Sequence, residues 1–195
     1  MGVESLQYIY QLKVTIAGIK PPVWRRVLVP ADINLAHLHD VLQIVMGWTN
    51  SHLHQYVFGE TIYGVPDENR DLFFGMKFMD ENKSTLSSLL VQENDSIIYE
   101  YDFGDNWEHN ITLEKKFPDD NSINLPTCIK GRRSSPPENC GGVPGYENLL
   151  EILSTPTDPD YQECIRWIGV HFDPEHFDMN EVNRRLHESV NKPQS

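Results

Sequence analysis

Asp102–Phe103–Gly104–Asp105–Asn106–Trp107–Glu108–His109 is the run of residues whose types could do chemistry. An aspartate beside a histidine can act as a pair of metal ligands, or as a base and the group that orients it. Counting by twos along a strand after Gly104 puts Asp105, Trp107, His109, Ile111 and Leu113 on one face, and the last two mark that face as core. Polar groups at the start of a buried face need partners, since leaving one unpaired costs about 1–3 kcal/mol. The same residues also fit a plain turn, with Asp102 and Asp105 accepting backbone N–H groups around Gly104 and His109 pairing locally. His52 and His54 are spaced two apart on an expected strand, so their rings point the same way. Two imidazoles on one face suit zinc or another divalent metal. His52, His54, Asp105 and His109 are the candidate metal ligands, with Asp102 and Trp107 completing a candidate polar pocket. A satisfied polar strand end is the alternative.

A second candidate site lies in the later loop, at Glu138, Cys140, Gly141 and Gly142. Cys128 and Cys140 are twelve apart, longer than zinc-knuckle spacing. Both read as small buried hydrophobes or, for Cys140 near a helix start, as a thiol of lowered pKa. The Gly-Gly-Val-Pro-Gly stretch offers backbone N–H groups to an anion, yet it lacks the ending of a phosphate loop. A turn with glycine at positive φ explains it equally. Arg25 and Arg26 point to opposite faces of a strand, and one is expected to pair with the acidic middle of the chain.

These groups must be positioned by the surrounding elements. Tyr8, Tyr10, Leu12, Val14 and Ile16 alternate with Ile9, Gln11, Lys13 and Thr15, and the period of two indicates a strand. Pro21–Pro22 breaks it, and Val23–Val29 resumes as the second arm of a hairpin. Asn34 can cap a helix carrying Leu35, Leu38, Val41, Leu42, Val45 and Met46, which Gly47 closes. His52–Phe58 reads as a strand, residues 60–83 as a loop or loose hairpin with an apolar patch at Leu72–Phe74, and Ile97–Phe103 as the next strand. Residues 118–145 read as a long loop. Three short helices follow, at Tyr146–Leu153, at Asp158–Ile168 and from Asp178, where Glu181 completes a capping box. The expectation is one α+β domain over 1–195: a mostly antiparallel sheet in β-grasp-like order (hairpin, helix, strands), with its sheet and helix core at about 6–117, then three short C-terminal helices over 146–190.

Composition narrows the function. The chain has 195 residues and a net charge of −13. Residues 1–57 carry +1, residues 58–117 carry −8 and residues 118–195 carry −6. Phosphate backbones are held by Lys and Arg, so direct nucleic-acid binding is disfavoured, with a small basic patch around Arg25–Arg26 or Arg132–Arg133 as the one place for it. No stretch reaches the roughly 18 apolar residues of a membrane span. The N-terminus lacks a basic region followed by an apolar run, and the three cysteines do not look like a disulfide framework. The cytoplasm is the expected compartment.

Several stretches together resemble one family. They are Pro21–Pro22–Val23–Trp24–Arg25–Arg26, Leu38–His39, Met46–Gly47–Trp48, His52–Leu53–His54, Tyr101–Asp102–Phe103–Gly104–Asp105–Asn106–Trp107–Glu108–His109, and Pro136–Pro137–Glu138–Asn139–Cys140–Gly141–Gly142 with Gly145–Tyr146. In this order they are similar to the plasmid pRiA4b ORF-3-like family over nearly the whole chain. The resemblance implies an α+β fold and, for some members, a link to mobile elements; it brings no established reaction. The family's Cys-Pro-Pro-Glu-Asp-Cys-Gly-Gly reads here with Ser135 for the first cysteine and Asn139 for the aspartate, so a metal site needing that first thiol would be incomplete. Two functional readings remain open. One is a non-catalytic binding or accessory module that meets a protein through loop 118–145 or the sheet face. The other is a metal-dependent, hydrolase-like enzyme using His52, His54, Asp102, Asp105 and His109.

Overall fold

Alternation from Tyr10 to Ile16 buries Tyr10, Leu12, Val14 and Ile16 in β1 (Tyr8–Ile16), a central strand in which Ile9 is buried as well. The computed structural model describes residues 6–66, 77–169 and 172–190. β1 pairs antiparallel with β2 (Trp24–Pro30) as the expected hairpin. Helix α1 (Leu35–Met46) is capped as expected: the Asn34 side chain accepts from His37 N–H, and Gly47 closes it at φ 77°. There follow β3 (His54–Phe58), β4 (Thr61–Gly64), β5 (Lys77–Asp80), two 3₁₀ turns at Glu81–Lys83 and Leu86–Ser88, β6 (Ser96–Tyr101), β7 (Trp107–Pro118) and β8 (Thr127–Arg132). Helices α2 (Gly142–Ser154), α3 (Tyr161–Ile168) and α4 (Met179–Val190) complete the described chain. None of these helices is long and apolar enough to cross a membrane.

The eight strands form one sheet in the order β5-β4-β3-β6-β7-β1-β2-β8. Only the β4–β5 pair is parallel. The sheet is larger than a β-grasp sheet: β3–β5 extend one side and β8 the other, and the central partners β1 and β7 run antiparallel. One face carries the core in rows across the strands. His54, Tyr101 and Trp107 form one row; Tyr56, Tyr99, His109 and Ile16 form the next. Ile97, Ile111, Val14 and Arg25 follow, then Leu113, Leu12, Val27 and Cys128. Helix α1 lies against this face, where Tyr56 donates to Leu35 O and Arg25 donates to Val45 O.

Several expected boundaries differ: β3 starts at His54 rather than His52, and the stretch 60–83 holds β4 and β5. Residues 118–145 are not one loop, because they contain β8 and the start of α2. β8 is an edge strand with Cys128 as its one fully buried residue, so it has no alternation to read. Helix α3 begins at Tyr161 rather than Asp158, because the Asp158 carboxylate turns the backbone by accepting from Asp160 N–H. The apolar patch Leu72–Phe74 lies outside the described residues.

Candidate functional site

The polar residues gather at one end of the sheet, on two levels. The inner level lies between α1 and the core face. His39 stacks on His54 with ring centres 3.5 Å apart and planes within 6°. His54 Nε2 meets Glu81 Oε2 at 2.9 Å. His39 Nδ1 lies 2.7 Å from Tyr99 OH, and its Nε2 lies 2.8 Å from Asn50 Oδ1. Gln43 closes the circuit: its amide donates to Tyr99 OH, and its oxygen accepts from Asn50 N–H. One proton arrangement satisfies all of this. Gln43 donates to the Tyr99 oxygen, Tyr99 donates to a bare Nδ1, and His39 Nε2–H donates to Asn50. His39 is thus neutral, and burial, with the nearby His54 charge, lowers its pKa to about 4.

The outer level is a latch. Loop 134–142 is held down on the turn after α1 and on the turn between β6 and β7. Glu138 accepts from four donors: Thr49 N–H, Thr49 OH, Ser51 OH and Tyr101 OH, the last at 2.6 Å. Burial pushes the Glu138 carboxyl up, but these donors outweigh it and hold its pKa below the ordinary value. Burial and Glu138 together raise Tyr101 to about 12. Trp48 Nε1–H donates to Pro136 O, and Asp105 Oδ2 accepts from Gly141 N–H at 3.1 Å. One glycine N–H, that of Gly141, does bind an anion, and that anion is the chain's own Asp105. Gly142 sits at φ +67°, and a Cβ there would lie 2.4 Å from Asp105 O, so both backbone shape and contact demand glycine.

The predicted residues divide between these levels. Asp105 is in the turn, not on the buried strand face, because β7 begins only at Trp107. Asp102, at φ 58°, accepts from Gly104 and Asp105 N–H groups, so the turn reading holds for it. Its other oxygen lies 3.5 Å from His52 Nε2. His52 precedes β3 and packs edge-on against Tyr101. His54 is turned inward to Glu81, so the two histidines take different partners. His109 is wholly buried, with Nδ1 3.0 Å from Trp107 O and burial lowering its pKa to about 4. Carbonyl oxygens only accept, so Nδ1 carries the proton and Nε2 is bare. His109 Nε2 and Trp107 Nε1 have no hydrogen-bond partner.

The four candidate ligands therefore do not share one point. Among the described residues no group of three or more His, Cys, Asp or Glu is placed to hold a metal ion. The second site fares similarly as chemistry. Burial and the Asp105 charge push the Cys140 thiol up to about 12, opposite to what a nucleophile needs. All three cysteines are free thiols, and Cys128 is a buried core residue. Arg25 and Arg26 do split across the sheet: Arg25 is buried among backbone carbonyls, while Arg26 pairs with Glu114 of the acidic segment. Sequence reasoning missed His39, Gln43, Asn50, Glu81 and Tyr99. The signal for two of them was present: His39 and Gln43, four apart, fall within the apolar stripe of α1.

Residues 8–181 match the family described as Plasmid pRiA4b ORF-3-like protein. The chain is 39% identical over 162 residues to the uncharacterised protein y4hQ of Sinorhizobium fredii, covering 83% of this chain and 81% of that one. It is also similar to the crystal structure of a protein of unknown function from Methanosarcina mazei Go1. That likeness has a TM-score of 0.82 and 34% identity, and covers 91% of this chain and 99% of the other.

Proposed function

We propose, from the premise that this chain belongs to the plasmid pRiA4b ORF-3-like family, that it is a non-catalytic binding or accessory module whose partner is a protein. One observation carries this reading. Three acidic side chains of the motif-bearing end are engaged in holding the scaffold together: Glu138 and Asp105 latch the loop and Asp102 builds the turn. The surface at this end presents Leu53, 63% exposed, and Phe103, 44% exposed. Asp102 N–H donates to Leu53 O, which brings the two segments together, so the two apolar residues flank His52 and Asp102.

An apolar pair rimmed by polar groups at the end of a sheet has the character of a protein contact. Free thiols agree with a reducing, cytoplasmic setting. Service to a mobile element is one such accessory role. The test is crosslinking in the cell of origin with the wild-type chain, with Leu53→Asp/Phe103→Asp, and with Val91→Asp as an exposed control. The reading expects one protein partner that the double variant loses and the control keeps. A hydrolytic screen and metal analysis of the untagged protein run beside it. Stoichiometric metal, or turnover abolished by His52→Ala, would overturn the reading in favour of the metal-dependent enzyme.

A further inference from the structure

The face of the sheet opposite the core carries a cluster of cations. Register places Thr112, Lys13, Arg26 and Lys130 in one row across β7, β1, β2 and β8, and Asn110, Thr15, Trp24 and Arg132 in the next. Neighbouring strands are about 4.8 Å apart, so register puts Lys13, Arg26, Lys130 and Arg132 in two adjoining rows, the second of which holds Trp24. Lys13 Nζ lies 5.8 Å from the Trp24 ring centre and Arg26 Cζ lies 5.3 Å from it. Lys130 and Arg132 are exposed, while Lys13, Trp24 and Arg26 are half-buried. Arg26 is held in place by a two-bond pair with Glu114, whose carboxyl that pairing lowers to about 2. An open groove of about 500 Å³ adjoins the rows, lined by Arg26 and Lys115 together with the Glu114 carboxylate that Arg26 neutralises. Two carboxylates, Glu100 and Glu108, sit opposite each other farther along the same face.

We propose that this face binds single-stranded nucleic acid. The cations would hold phosphates and a base would stack against Trp24, the combination by which sequence-tolerant single-strand sites work. Charge complementarity selects a polyanion, and the aromatic within the cation rows selects one that carries stackable rings. At a net charge of −13 the rest of the chain repels phosphate, which confines contact to this face and makes it weak and salt-sensitive. The site is independent of the protein-contact reading, since it shares no residue with the surface formed by Leu53, Phe103, His52 and Asp102.

The test is fluorescence anisotropy of a labelled 12-nucleotide oligothymidine with the intact chain at low salt. Binding should weaken with salt along a log–log slope of about −2 to −3, as about three or four phosphate contacts on a single strand require. Lys130→Glu/Arg132→Glu should weaken it at least tenfold. Both residues are exposed on an edge strand, so an unchanged melting temperature checks folding. Trp24→Leu should cost roughly tenfold, the size of one lost base stack, and should remove quenching of tryptophan fluorescence by the oligonucleotide. No binding at low salt, binding indifferent to these changes, or equal affinity for polyglutamate of the same charge would each overturn the proposal.

Discussion

At the residue scale, Glu138 accounts for more of the motif-bearing end than any other side chain. Removing it leaves the hydroxyl of the buried Tyr101 without its acceptor. Glu138→Ala should therefore destabilise the chain by about 1–3 kcal/mol, read by urea unfolding, with faster amide exchange across 134–142. Glu138→Gln should recover part of that loss, because its amide oxygen still accepts. Gly142→Ala meets two obstacles, a left-handed backbone and the Asp105 carbonyl. A cost of about 1–3 kcal/mol from backbone strain alone follows, and a melting temperature indistinguishable from wild type would refute it.

At the element scale, β8 and α4 are joined by one side chain. Asn183 accepts from Cys128 N–H at 2.7 Å and donates to Cys128 O at 2.9 Å, pairing the outer edge of the sheet as another strand would. Asn183→Ala should raise amide exchange in β8 while leaving the centre of β1 protected. Equal protection of β8 in both proteins would show that α4 is held by its apolar contacts alone. The caps of α1, the hairpin and the core face of β7 from Trp107 to Leu113 were legible in the sequence, because period and cap chemistry are local. β8 was not, since its partners are β2 and a side chain 55 residues away.

At the scale of the whole molecule, two neutral histidines are sealed inside. His39 and His109 have pKa values lowered to about 4 from 6.5, each first of all by burial. The unfolded chain thus binds protons that the folded chain refuses, and stability falls as pH drops through the window from about 6.5 to about 4. Each group is worth on the order of 3 kcal/mol across the full window. Urea midpoints should fall between about pH 7 and pH 4.5, and His109→Gln should flatten that fall. A midpoint that stays level from about pH 7 to pH 5 would contradict the burial of these rings. Carboxylates such as Glu114, held at about 2, contribute mainly below this range, so the histidines dominate its upper part.

The sequence by itself determined the α+β class, the β1–β2 hairpin, the caps of α1, the split of Arg25 and Arg26 across a strand, and the family. These follow from spacing of about two or 3.6 residues and from motif order, which need no knowledge of distant contacts. The tertiary structure alone decided what the chemical residues do. His54 belongs to Glu81, Asp105 to Gly141 and Glu138 to Tyr101, across separations of 27, 36 and 37 residues. Lys13, Trp24 and Lys130 become neighbours only through strand register. A hydrogen bond is settled by which group arrives within about 3 Å, and the packing of the whole sheet sets that distance.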